Sequence, residues 1–215
     1  MKADPQVNVA VLVYHGVELV DMNGPVDVFL HANRYNNTLY HVYTVAATCG
    51  IILSEDDIVS IVPQYTIDNC PMPDIIVIPG IINQEVDPGI ISWITKMGAE
   101  KRIIMSVCIG AFILAKTGLL NGKRATTHYL SIGDLHNQYP AIDIVKNVRF
   151  VEDDSDINGV CIVTTGGITS GIDGALHLIE TREGSVAAQL VADIMVYNRD
   201  APLPPFTILP PYYNT

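Results

Sequence analysis

The sequence predicts an open α/β fold, in which a mostly parallel sheet carries helices on both faces. Segments with strand character alternate with segments of helical character along the chain, and the central strands, 75–78 and 103–107, are almost entirely apolar. A strand that is buried on both faces requires apolar side chains on both of them, as in parallel sheets covered by helices. With 215 residues, the chain is long enough to bury one large core.

The first half of the chain supplies three of the strands. They are predicted at 7–13, 41–47 and 75–78. Gly24-Pro25 is typical of a helix start, because Pro is favoured in the first turn and an apolar stripe follows it. Segment 51–62 contains two short strand-like pieces around an acidic turn, which predicts a hairpin at an edge.

The second half continues the alternation. Helices are predicted at 90–97, 129–138, 172–181 and 185–197, and strands at 103–107, 122–126, 147–151 and 160–164. A proline-rich tail covers 201–215, where proline cannot continue the last helix. We therefore expect one α/β domain over residues 1–200, with a tail that lies across the domain or on a neighbouring chain.

Composition excludes several classes of protein. The chain has 12 basic and 23 acidic residues, a net charge of −11, which argues against binding to nucleic acid. Its four cysteines show no C-x-x-C spacing, which favours reduced thiols over disulfides or a zinc site. We find neither a secretory signal nor an apolar run of the ~20 residues needed to span a bilayer. These features indicate a cytoplasmic protein that binds no membrane.

Cys108 stands at the most informative junction of the chain. It follows the buried strand 103–107 and precedes a helical pattern, with Gly110 two residues further on. This predicts a nucleophile elbow, a sharp strand-to-helix turn that holds the sulfur at the C-terminal edge of the sheet. A helix N-terminus beside the sulfur is expected to favour the thiolate. The alternative is a small buried hydrophobe, the usual role of an isolated cysteine.

Asp21 is the candidate general acid. It lies between the first strand and the first predicted helix, at the edge of an open sheet where ligands bind. A carboxyl group near a thiolate would retain a proton, because two anions are unfavourable in a dry site. Glu18 competes for the same role, and Asp21 could instead stabilise the start of the following helix.

Three backbone positions and one histidine complete the candidate site. Gly80 and the N–H groups of Ile81 and Ile109 are predicted to form an oxyanion hole. His128 is a candidate neighbour of the site or a residue at a helix start on the surface. Thr165-Gly166-Gly167 lacks the G-x-G-x-x-G spacing, and no histidine pair has metal-ligand spacing. We therefore expect no cofactor and no metal.

Several motifs together resemble the ThiJ/PfpI superfamily, the class I glutamine amidotransferase-like fold. They are D-x-x-G-P at 21–25, IPG at 78–80, SVCIGAFILAKTGLLNGKRATTHY at 106–129, TTGGITSGID at 164–173 and YNRDAPLPPF at 197–206. The chain is most similar to the isonitrile hydratase branch and to the amidase-like half of certain AraC-type regulators. The resemblance implies a flavodoxin-like, doubly wound sheet and a homodimer.

The resemblance also implies a reaction. In isonitrile hydratases the acid of D-x-x-G-P and the elbow cysteine, here Asp21 and Cys108, are both required. The thiolate attacks the isonitrile carbon, the acid handles the proton, and water releases an N-substituted formamide. Two alternatives remain open: a ligand-binding or redox-sensing module like the regulator half, and an enzyme that detoxifies small aldehydes.

Three positions differ from the family pattern. Ile109 replaces the usual Thr or Ser after the cysteine, so a hydroxyl near the nucleophile is missing. Ile81 replaces the second glycine of P-G-G and is expected to narrow the pocket. The peptidase-like branch has His directly after Cys, and Ile109 excludes that chemistry. The thiol and the acid remain, whereas the identity of the small-molecule substrate is open.

Overall fold

The structure, a computed structural model, describes residues 6–34, 39–81, 85–155 and 159–205. The strands are β1 (Gln6–Leu12), β2 (Leu39–Ala46), β3 (Ile52–Leu53), β4 (Ser60–Ile61), β5 (Tyr65–Thr66), β6 (Ile75–Ile78), β7 (Ile103–Val107), β8 (Arg124–Ala125), β9 (Asp143–Ile144), β10 (Phe150–Asp153) and β11 (Ile162–Thr165). The helices are α1 (Leu19–Ala32), α2 (Pro88–Ala99), α3 (Gly110–Lys116), α4 (Ile132–Gln138), α5 (Ser170–Glu183) and α6 (Ser185–Ile194).

The described residues form a central sheet of seven strands in the order β10-β11-β7-β6-β1-β2-β5. Every neighbouring pair is parallel except β10 with β11. The predicted α/β fold with a mostly parallel sheet is therefore confirmed. The hairpin expected at 51–62 is the separate antiparallel pair β3-β4, and β8 pairs with β9 in a further small sheet.

The core lies on both faces of β1, β6 and β7, as their apolar sequences predict. All four residues of β6 are buried, and so is every residue of β1 from Val9 to Leu12. Helices α1, α5 and α6 pack on one another, while α2 packs on α3. Because the central strands are shielded from water, their carboxyl ends are the natural place for a ligand site.

Helix α1 differs from the prediction. It begins at Leu19 rather than at Gly24-Pro25, and Pro25 lies inside it. Glu18 caps the helix, because its Oε2 accepts the N–H of Asp21 at 2.6 Å. Proline is common in the first turn of a helix, and the sequence therefore favours a start at Gly24-Pro25. In the structure the carboxylate of Glu18 caps the helix, so that the helix begins at Leu19. As a result, Asp21 lies in the first turn of α1 and not in a loop.

Part of the proline-rich tail is described. Arg149 Nη2 donates to the carbonyl of Ala201 at 2.6 Å, and Arg149 Nη1 donates to Asp173 at 2.8 Å. These contacts fix the start of the tail to α5 and to the segment before β10. The rest of the predicted tail, 206–215, lies outside the described residues. In the described ranges, no helix combines the length and the apolar character required to cross a membrane.

Candidate active site

The predicted elbow at Cys108 is present. Cys108 joins β7 to α3 with φ of 55°, a left-handed backbone conformation that is rare for residues other than glycine. The turn is sharp enough that a Cβ at Gly110 would lie 2.2 Å from the carbonyl oxygen of Ile78. Only glycine fits there, which explains its place two residues after the cysteine.

Neighbouring strands hold the elbow in place. The N–H of Cys108 donates to the carbonyl of Thr165 at 3.2 Å, and the Thr127 hydroxyl donates to the carbonyl of Cys108 at 2.9 Å. A strained φ persists only where the surroundings fix it. These two bonds, from β11 and from the segment after β8, therefore support the conformation of the nucleophile elbow.

Asp21 is completely buried and is only partly satisfied by hydrogen bonds. The N–H of Gly80 donates to its Oδ2 at 2.8 Å, while Oδ1 has no partner among the described residues. Burial raises the pKa of Asp21 to about 8, the Gly80 N–H opposes this, and the nearby Glu18 raises the pKa further. A carboxyl group with such a pKa is mostly protonated at neutral pH and can act as a general acid.

The thiol of Cys108 is also buried, with 8% of the residue exposed. Burial raises the pKa of Cys108 strongly, and the charge of Asp21 raises it further, while the N–H of Ile109 lowers it. The expectation of a favoured thiolate is therefore wrong. Helix α3 has only seven residues, and the field at its start is outweighed by the loss of solvent and by the neighbouring carboxylate.

Gly80 lies against both the carboxyl group of Asp21 and Ile109, the residue that follows Cys108. A Cβ at Gly80 would be 2.6 Å from Asp21 Oδ2 and 2.9 Å from Ile109 Cγ1, so the carboxyl group faces the first residue after the cysteine. The charge of Asp21 also acts on the thiol. No direct hydrogen bond joins the two side chains in the described structure. We call Asp21 and Cys108 the thiol–carboxyl pair.

The backbone N–H groups of Gly80 and Ile109, which were expected to form an oxyanion hole, make other contacts in the structure. The N–H of Gly80 donates to Asp21 and is therefore not directed at an empty position. The N–H of Ile109 faces the sulfur of Cys108 and lowers its pKa. Ile81 is buried, with 2% exposed, and pairs with Val17 through a β-bridge. The N–H of Gly80 therefore holds the carboxyl group of Asp21 in place.

Glu18 and Tyr14 have supporting positions around the acid. Glu18 caps α1 through the N–H of Asp21, which leaves Asp21 as the buried acid of the two. The buried hydroxyl of Tyr14 donates to the carbonyl of Pro79, and burial with the charge of Asp21 raises the Tyr14 pKa. Tyr14 was not among the predicted site residues, although it lies two residues after the end of strand β1, at the edge of the sheet where ligands are expected.

His128 lies in a cavity beside the thiol–carboxyl pair. The cavity has a volume of about 830 Å³ and is lined by residues that include Thr127, His128, Gly167 and Leu203. Burial lowers the pKa of His128, which favours its neutral form. Cys108 does not line this cavity, although Thr127 contacts its carbonyl. The structure therefore brings His128 to a neighbouring cavity without a contact to the sulfur.

The fold and this site define a class: α/β proteins that carry a cysteine at a nucleophile elbow beside a buried carboxyl group. A family model described as the DJ-1/PfpI family matches residues 7–181. The chain belongs to this family, which confirms the predicted membership of the ThiJ/PfpI superfamily.

Three relatives illustrate what the chain is similar to. An isonitrile hydratase from Pseudomonas putida is 32% identical over 206 residues, covering 93% of this chain and 81% of the relative. The HTH-type transcriptional regulator CdhR from Pseudomonas aeruginosa is 26% identical over 89% of this chain and 55% of its own length. A solved ThiJ/PfpI family protein from Pseudomonas syringae superposes with a TM-score of 0.76 at 27% identity, covering 95% of this chain and 79% of that chain.

Proposed function

We propose that the protein is an enzyme that adds water to a small isonitrile and releases an N-substituted formamide. The observation that carries this proposal is the completely buried carboxyl group of Asp21, whose pKa of about 8 keeps a proton available near the elbow cysteine. The similarity to an isonitrile hydratase over most of both chains supports the same chemistry. A protonated acid suits this substrate, because the terminal carbon of an isonitrile accepts a proton readily.

The first stage joins the substrate to the enzyme. Asp21 donates its proton to the terminal carbon of the isonitrile, and the sulfur of Cys108 bonds to the same carbon. The thiol proton passes to the vacated carboxylate, so that the product is a thioimidate and Asp21 is protonated again. This order does not require a stable thiolate, in agreement with the raised pKa of Cys108.

The second stage releases the product. Asp21 protonates the thioimidate nitrogen, water bonds to the carbon, and the resulting carboxylate accepts a proton from that water. The carboxyl proton of Asp21 then passes to the sulfur as the carbon–sulfur bond breaks, and the carboxylate that this leaves accepts the hydroxyl proton, so that the formamide carbonyl forms. The formamide leaves, and both members of the thiol–carboxyl pair regain their starting forms. Asp21 acts as acid and base in turn.

The proposal is tested by the turnover of a simple alkyl isonitrile, with the formamide measured by NMR. The wild-type protein should produce formamide, whereas Cys108→Ala and Asp21→Asn should reduce the rate at least about a hundredfold, the usual size of a lost acid or nucleophile. Cys70→Ala, which removes a half-buried cysteine elsewhere, is the matched control and should keep the wild-type rate. Full activity of Cys108→Ala would contradict the proposal.

A second candidate is a non-catalytic module that binds a small ligand. It is favoured by the cavity of about 830 Å³, which lies beside the thiol without including it, and by the similarity to a transcriptional regulator. Failure of every isonitrile to react, together with a ligand whose affinity depends on Ile132 or His128 in the cavity wall, would support this candidate instead.

A further inference from the structure

Two additional acidic residues stand next to the thiol–carboxyl pair. Glu18 is fixed by two bonds: its Oε2 accepts the Asp21 N–H at 2.6 Å, and its own N–H donates to the Gly80 carbonyl at 3.1 Å. Glu55 comes from the hairpin β3-β4, and its N–H donates to the carbonyl of Val17 at 3.0 Å. The hairpin therefore places the backbone of Glu55 beside the residue that precedes Glu18, and the charges of both glutamates act on Asp21 and on the Cys108 thiol.

Neither Glu18 nor Glu55 forms an ion pair with a basic side chain in the described part of the chain. Each ion pair found there involves other acidic residues. The sequence explains why: residues 1–95 contain eleven acidic residues but only two basic ones, Lys2 and Arg34. His15 Nδ1 is occupied as the acceptor of the N–H of Leu53 at 3.2 Å. The side of the site built by the first half of the chain is thus strongly negative.

An unsatisfied buried atom indicates that a ligand completes the site. Asp21 has no exposed surface, and its Oδ1 lacks a hydrogen-bond partner among the described residues. Buried polar atoms are nearly always paired, and exceptions concentrate at functional sites. The carboxylates of Glu18 and Glu55 are both only partly buried, and their charges act on this buried carboxyl group.

We infer that the site takes small electrophiles that carry an ammonium group and rejects those that carry a carboxylate. The inference rests on the proposed function for the reacting carbon and adds the charge of the remainder of the substrate. The ammonium group is attracted by Glu18 and Glu55 while the reacting carbon lies at the thiol–carboxyl pair. Walls of low dielectric strengthen this field, and clefts lined by one sign of charge raise encounter rates by about 10- to 1000-fold.

Charged thiol reagents test the inference without any turnover. Methanethiosulfonates that carry a trimethylammonium or a sulfonate group are compared by their rates of modifying Cys108, localised by peptide mass spectrometry. For Cys108 we take the rate with the cationic reagent divided by the rate with the anionic one, and we normalise this ratio to that of free 2-mercaptoethanol. The normalised ratio should be at least about ten. Glu55→Gln should lower this preference about two- to threefold, with a larger effect at low salt. Asp193→Asn, which removes one exposed charge on α6, is the matched control and should not change it.

Two results would overturn the inference. One is an equal preference for both reagents, as expected if a second copy of the chain places a cation at the site. The other is failure of both reagents to reach Cys108, because the site would then admit no charged group.

Isonitriles of matched size with ammonium, neutral or carboxylate ends separate this inference from the proposed function. The expected order of kcat/KM is ammonium, then neutral, then carboxylate. A strong reagent preference without turnover of any isonitrile would refute the hydratase proposal and leave the charge inference standing. Turnover of the neutral isonitrile with no advantage for the cationic reagent or substrate would support the hydratase proposal and refute the charge inference.

Discussion

Replacing Asp21 by Asn should stabilise the fold at neutral pH while it removes the proposed activity. The carboxamide has nearly the same shape as a protonated carboxyl group, and its oxygen can accept the N–H of Gly80 that Asp21 accepts at 2.8 Å. It differs in carrying no ionisable proton. The difference in the free energy of unfolding between the variant and the wild type therefore measures how much the raised pKa of Asp21 destabilises the fold.

The magnitude follows from the pKa of Asp21, which burial raises from 3.8 to about 8. Between these values the folded state holds a proton that the unfolded state has released, so stability falls as the pH rises. Each pH unit in this window costs about 1.36 kcal/mol. The penalty is therefore about 1 kcal/mol at pH 4.5, about 4 kcal/mol at pH 7, and constant above pH 8. Asp21→Asn removes the penalty and should gain these amounts.

Urea unfolding at pH 4.5, 7 and 8.5 measures the gain. The free energy of unfolding of Asp21→Asn should exceed that of the wild type by an amount that grows with pH. Asp27→Asn, an exposed change on the same helix α1, controls for the loss of a surface carboxylate and should shift stability by less than about 0.5 kcal/mol. A gain that does not depend on pH, or a loss of stability at pH 8.5, would refute the raised pKa.

Three further predictions concern the elbow and the assembly. Ile109→Thr should raise isonitrile turnover about two- to tenfold, because a hydroxyl beside the nucleophile restores a hydrogen bond of ~0.5–1.5 kcal/mol; an unchanged rate would show that this position does not limit hydration. Gly110→Ala should destabilise the fold by several kcal/mol in denaturant unfolding, since its Cβ would meet the Ile78 carbonyl at 2.2 Å, whereas Gly133→Ala, with open space around it, should not. Sedimentation should give a homodimer, and a 23.4 kDa species at micromolar concentration would contradict this.

The elbow and the central strands were predictable because their signals are local. Continuous apolar runs predict β6 and β7, and a Cys followed two residues later by Gly predicts the sharp turn at Cys108. The choice of Asp21 over Glu18 came from the resemblance to a family. In the structure Glu18 serves as the helix cap, whereas Asp21 has no exposed surface.

The electrostatics of the site were not predictable from local patterns. The pKa of Cys108 depends on how deeply the thiol is buried and on carboxylates that reach it from distant segments. Glu55 approaches through the pairing of Ser54 with Val17, a contact that no periodicity in the sequence specifies. The sequence indicated a helix N-terminus beside the sulfur and a carboxyl group near it, but it did not show that burial has the largest effect on the pKa of Cys108.

The pH dependence of isonitrile hydration tests most directly whether Asp21 supplies the proton. The rate of formamide production is measured from pH 6 to 10 at saturating substrate and in the kcat/KM limit. The account predicts a rate that falls about tenfold per pH unit above an apparent pKa near 8, as Asp21 loses its proton. A rate that instead rises through pH 8 to 9.5, as expected for a free Cys108 thiolate acting without an acid, would contradict it.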